Sequence, residues 1–104
     1  MKNITKWLEI IELRTGTNNT DNLERVLQTL VEAFKNGIDQ GKIRIYRSNS
    51  IYSDYSIHLL HKSTKPDVGG SQLGLHLAAS LKEFGLLNHQ IWNEMKFFST
   101  QIID

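Results

Sequence analysis

Residues 42–62 read KIRIYRSNSIYSDYSIHLLHK, and this stretch decides the fold. Ile43 and Ile45 alternate with Lys42, Arg44 and Tyr46, and Ile57 and Leu59 alternate with His58 and Leu60. A period of two is the mark of a strand with two unlike faces. The polar run NSIYSD between the halves makes the stretch a strand–turn–strand unit. One face of the unit is aliphatic. The other carries Arg44, Tyr46, His58 and Leu60, and chemistry is expected on that second face.

On the N-terminal side, residues 21–35 predict a helix. Asp21 or Thr20 can cap it, and Glu24 stands at the capping-box spacing from Asp21. Leu23, Val26, Leu27, Leu30, Val31 and Phe34 recur at three- and four-residue steps as one apolar stripe, opposite Glu24, Arg25, Gln28, Glu32 and Lys35. Gly37 is the expected stop. Residues 4–14 predict a strand with Trp7, Glu9, Ile11 and Leu13 on one parity and Leu8, Ile10 and Glu12 on the other. Both parities are largely apolar, which predicts a central strand covered on both faces.

On the C-terminal side, Ser63 to Gly70 form a loop rich in turn formers. Ser71 then caps a second helix that ends near Gly85, with Leu73, Leu77, Leu81 and Phe84 on its buried side and Ala78 beside them. Residues 90–102 predict the last strand, in which Trp92, Glu94, Lys96 and Phe98 alternate with Ile91, Met95 and Phe97. His89 falls in the connection before it.

This order predicts an α+β fold: one ferredoxin-like βαββαβ domain over residues 1–104, with a four-stranded antiparallel sheet and both helices on one face. The uncovered face is expected to carry Trp7, Ile11, Leu13, Tyr46, Leu60, Trp92 and Phe98. A lone domain rarely leaves so much apolar surface wet. Homodimerisation through the sheet, closing a shared barrel, is therefore expected.

Composition narrows the functions. Hydrophobic residues at 39% and charged residues at 22% describe globular material rather than a disordered chain. Twelve basic and eleven acidic residues leave a net charge of +1, which gives no electrostatic case for a nucleic-acid partner. The sheet order would also suit an RNA reader, but YSIHLLHK supplies no basic-aromatic strand for one. There is no cysteine, so disulfides, thiolate nucleophiles and Cys-ligated zinc are excluded. The apolar patch near the N-terminus is broken by Glu9 and too short for a signal sequence. No apolar run approaches the roughly 18 residues of a membrane span. A cytoplasmic protein with no membrane partner is expected.

The element order, Tyr46-Arg47-Ser48 at the end of the second strand and His76-Leu77 early in the second helix carry a family likeness. The chain resembles the dimeric α+β barrel superfamily, and within it the small antibiotic-biosynthesis-monooxygenase-like proteins, over most of its length. It departs after the third strand, where such proteins often place a glutamate and a tryptophan and this chain has His61, Lys62 and Ser63. The resemblance implies a homodimer with a pocket between sheet and helices for a polycyclic or quinol-like aromatic. In the catalytic members it implies oxygen chemistry without metal or flavin, so no cofactor is expected. Other members have no known reaction.

The candidate site follows from residue type. His58, read on one face with Tyr46, Glu9 and Glu94, is the candidate general base, with Tyr46 as its catalytic partner. Trp92, Arg44, Glu9 and His76 are the candidate substrate-binding residues. The bland reading of His58 is a half-buried histidine hydrogen-bonded across a dimer interface. His58 and His61 have opposite parities and so cannot both ligate one metal; no metal site is expected. Glu9 and Glu94 suggest a carboxylate pair of the glycosidase kind, although wall carboxylates usually pair with cations such as Arg44 or Lys96. Gly69-Gly70-Ser71 before a helix can hold an anion on free amides or be a plain turn and cap. Tyr52 and Tyr55 either gate a pocket or pack on its rim. Two functions stand level: a cofactor-independent monooxygenase-like enzyme, or a non-catalytic dimeric binding protein.

Overall fold

The computed structural model describes residues 5–16, 20–34, 42–63 and 69–95 of the 104. The elements are β1 (Thr5–Arg14), α1 (Thr20–Phe34), β2 (Lys42–Arg47), β3 (Asp54–Ser63), α2 (Gln72–Leu81) and β4 (Leu86–Asn93), with a 3-10 turn at Lys82–Phe84. The strands form one antiparallel sheet in the order β2-β3-β1-β4. This is the ferredoxin-like βαββαβ arrangement, and β1 is central, as its two apolar parities predict.

The register sorts every strand residue onto a face. In one set of rows, read across β2, β3, β1 and β4, Ile43 faces Leu59, Glu9 and Ile91; Ile45 faces Ile57, Ile11 and His89; Arg47 faces Tyr55, Leu13 and Leu87. His61, Trp7 and Asn93 begin this set at the sheet's other end. These rows hold the core. Ile11, Leu13, Tyr55, Ile57 and Leu59 share one buried cluster with Leu23 and Leu27 of α1 and Leu77 and Leu81 of α2.

The intervening rows form the open face: Lys42–Leu60–Leu8–Trp92, Arg44–His58–Ile10–Gln90 and Tyr46–Ser56–Glu12–Asn88. Their side chains are half-buried or exposed. Tyr46, Leu60 and Trp92 lie here as expected. Trp7, Ile11 and Leu13 do not: they are buried in the opposite rows, and Leu8 and Ile10 take their place on the open face. Both parities of β1 are apolar, so only pairing with β3 fixes which one faces the core. Phe98 lies outside the described residues.

Local chemistry explains the connections. Ser48 Oγ accepts from the amides of Ser50 and Ile51 at 3.2 and 3.0 Å, and the Ser48 amide donates to the Asp54 carbonyl at 2.8 Å. These bonds close the hairpin. Glu24 does not serve the capping box; it accepts from the Tyr55 hydroxyl at 3.0 Å and pairs with Arg47, tying α1 to the hairpin. Arg47 also lies over the rings of Tyr52 and Tyr55, at 4.4 and 5.2 Å from their centroids, so both tyrosines pack on an arginine. Gly37 and Lys35, expected at the end of the first helix, are outside the described residues.

Ser71 caps α2 as expected, its Oγ accepting from the Gly74 amide at 3.0 Å. Leu77 and Leu81 are buried and Leu73 and Phe84 pack against the core. The last strand differs from expectation. It starts at Leu86, directly after Gly85, and the described strand ends at Asn93. His89 is consequently a strand residue, not a connector residue. Among the described residues no helix is long and apolar enough to cross a membrane.

Candidate functional site

Among the described residues Glu9 is the one carboxylate in the core. It is wholly buried, and an unpaired carboxylate there would be strongly destabilising. The register supplies its partners. His61 on β3 lies one row toward the sheet end and His89 on β4 one row the other way, so the two imidazoles flank Glu9 diagonally. His61 Nε2–H donates to Oε1 at 2.7 Å, and His89 Nε2–H donates to Oε2 at 2.8 Å. The start of α2 closes the site: the Ser71 amide donates to Oε2 at 3.0 Å and the Ser71 hydroxyl to Oε1 at 2.6 Å.

Two glycines make this approach possible. A Cβ on Gly74 would stand 2.0 Å from Glu9 Oε2. One on Gly70 would meet His89 Cε1 at 2.6 Å, and Gly70 also takes a φ of 114°, which other residues rarely adopt. The anion held by the turn before α2 is thus the protein's own carboxylate.

The electrostatics follow. Burial alone pushes the Glu9 carboxyl up, but the hydrogen bonds from the Ser71 hydroxyl, His89, His61 and the Ser71 amide together outweigh it and hold the pKa below the ordinary glutamate value. A carboxylate offers about four acceptor positions, and four donors occupy them. Glu9 is a fixed anion that holds other groups and has no capacity left to take a proton from a ligand. His61 and His89 are 16% and 18% exposed at the side chain, so each imidazole reaches from the buried anion toward the surface. The His61 ring is stacked on Trp7, centroids 4.2 Å apart and planes at 24°.

The open face carries the second feature. A cleft of about 610 Å³ lies at its Lys42–Leu60–Leu8–Trp92 end. Leu8, Leu60 and Trp92 give it apolar surface, and Lys6, Lys42, Arg44 and Lys62 surround this with positive charge against Glu94. Lys6 and Lys62 are direct cross-strand partners. Trp7 and His61 reach its wall from the buried rows. Trp92 is 55% exposed, and its indole N–H donates to Gln90 Oε1 at 3.1 Å.

The expected site residues therefore divide. Arg44 and Trp92 line the cleft. His58 and Tyr46 share the adjoining part of the open face, ring centroids 4.8 Å apart, and His58 Nε2 is hydrogen-bonded to Ser56 Oγ at 2.9 Å. Glu9 does not join them: the sheet lies between it and His58, because Glu9 pairs in the Leu59 row and His58 in the Ile10 row. His76 is exposed on α2 and does not line the cleft. Among the described residues the aromatic rows face away from the core, so the pocket expected between sheet and helices does not lie between these rows and α2. Glu94 is exposed past the end of β4 and makes no pair with Glu9. Lys96, its expected alternative partner, lies outside the described residues.

Sequence reasoning missed the Glu9–His61–His89–Ser71 cluster. The signal was present: His61 shares the aliphatic parity of Ile57 and Leu59, and Glu9 shares that of Trp7, Ile11 and Leu13. Among the described residues no group of three or more His, Cys, Asp or Glu is arranged to hold a metal ion; both Nε2 atoms are committed as donors to the carboxylate. No protein-family model matches this chain and no curated protein is significantly similar to it.

Proposed function

We propose that this chain is a small-molecule-binding domain that works as a homodimer, two copies closing their open sheet faces over a cleft that takes an aromatic anion. The observation that carries this reading is the composition of the 610 Å³ cleft, an apolar surface of Leu8, Leu60 and Trp92 ringed by four cations. Pockets of this size bind drug-sized ligands through apolar walls and a few placed polar groups. An indole more than half exposed on a sheet face is free to stack on an aromatic ring. The lysines and Arg44 select for negative charge, and Arg44 can meet a carboxylate with two parallel N–H bonds. A second copy over the open face gives Leu8, Ile10 and Leu60 a partner, as the dimeric α+β barrel resemblance implies.

The test is a titration with 2-naphthoate, followed by tryptophan fluorescence and calorimetry. Saturable binding is expected, with the fluorescence change absent in Trp92→Phe. Lys62→Ala is expected to weaken binding about fivefold, the roughly 1 kcal/mol of one screened charge pair. Equally tight binding of uncharged naphthalene analogues, or no binding, contradicts the proposal.

A second reading is favoured by the Tyr46–His58 contact: turnover of an electron-rich phenol with oxygen, His58 acting as base. His58→Ala should then abolish oxygen uptake with hydroxynaphthalenes. Equal uptake by a folded variant removes His58 from any mechanism.

A further inference from the structure

The open cleft and the buried carboxylate meet at one residue, His61. It lines the cleft, its ring is stacked on Trp7, and its Nε2 is bonded to Glu9 at 2.7 Å. A carboxylate accepts and cannot donate, so Nε2 carries a proton. In the neutral ring Nδ1 is then the basic nitrogen, and among the described residues it has no hydrogen-bond partner. A buried carboxylate behind an imidazole fixes its tautomer and orientation and stabilises the imidazolium that forms when the other nitrogen takes a proton. Glu9, with its acceptor positions filled, acts only through the two histidines. Of these His61 alone lines the cleft.

The charged groups around His61 suit that task. Glu9 faces it from β1, and His89 on β4 shares the same carboxylate. Ser71 at the start of α2 contributes neutral donors. Lys6 and Lys62 stand across the sheet end, where an anion formed in the cleft would lie.

We propose that His61 is the proton acceptor of the cleft: its Nδ1 takes the hydroxyl proton of a hydroxylated aromatic carboxylate, and Glu9 is the positioning residue behind it. The O–H bond breaks, the Nδ1–H bond forms, and the electron pair stays on the oxygen. The ligand becomes a phenolate beside the cleft lysines and His61 becomes an imidazolium beside Glu9. No oxidant or reductant is needed. The proposal deepens the binding reading above and rests on it.

The experiment compares 2-naphthoate with 6-hydroxy-2-naphthoate at about pH 8, below the ordinary phenol value of about 10, where the free ligand keeps its hydroxyl proton. Absorbance reports whether the bound hydroxyl is ionised. Calorimetry in buffers of different ionisation enthalpy counts protons released to solvent. Wild type is expected to hold the ligand as naphtholate while releasing close to no protons, because His61 keeps the one that is lost. His61→Gln is expected to bind it as the neutral naphthol, or as naphtholate with one proton released. His76→Gln, exposed on α2 and away from the cleft, should behave as wild type. If wild type binds both compounds but holds the second as neutral naphthol, or releases one proton per ligand, the inference is overturned and the binding reading stands. Binding of neither compound overturns both.

Discussion

At the scale of single residues, Glu9 shows how a charge enters a core. Its four donors come from β3, β4 and the start of α2, at sequence separations of 52, 80 and 62 residues. No local pattern announces such partners, and for that reason the carboxylate was legible in the sequence while its role was not. The folded state lowers the Glu9 pKa, from an unfolded value of about 4.3. A depressed carboxylate pKa contributes stability that is complete above the unfolded value and is lost as pH falls through the folded one. Denaturant unfolding of wild type should therefore show falling stability on acidification below about pH 4.3, and Glu9→Gln should lack that component. At neutral pH the same variant should lose about 1.5–3 kcal/mol, the range for hydrogen bonds to a charged group. Gly74→Ala is expected to destabilise by at least about 1–3 kcal/mol, the cost of overpacking. A neutral result for Gly74→Ala in urea unfolding would mean that α2 does not approach Glu9 this closely.

At the scale of elements, the helices were read nearly to their ends because their signals are local. The α1 stripe and the Ser71 cap depend on spacings of three and four residues. Leu27, buried in the core, should cost about 2–5 kcal/mol when cut to alanine. Leu30 is only partly buried, and Leu30→Ala should cost less. Glu24→Ala removes a partly exposed pair with Arg47 and should stay within about 1 kcal/mol. Chemical denaturation of the three variants checks this ranking, and a Glu24→Ala loss larger than that of Leu27→Ala would contradict it. β4 starts at Leu86, four residues before the start that the alternation predicts. Leu86 and Leu87 follow α2 and its 3-10 turn with no polar break, so the strand's first residues resemble a helix end. With the strand starting at Gln90, His89 would fall in a loop and could not reach Glu9 from the neighbouring strand.

At the scale of the whole molecule, the fold was legible because element order alone restricts the sheet to few topologies. The assignment of faces was not. A central strand that is apolar on both sides satisfies either orientation, and the choice is made by pairing with β3, forty or more residues away. The finished molecule keeps its buried anion under α2 and turns Leu8, Ile10, Leu60 and Trp92 outward among cations. The proposed dimer covers that outward face, burying on the order of 1,600 Å² in total. Leu60 is the residue to challenge: a glutamate there reaches solvent in a lone chain but is stranded in an apolar seam between two copies. The decisive measurement is sedimentation equilibrium of wild type and Leu60→Glu at micromolar concentration, with circular dichroism to verify the fold. Twice the 12.0 kDa chain mass is expected for wild type and the single-chain mass for a folded Leu60→Glu; wild type at 12.0 kDa would contradict the proposed dimer.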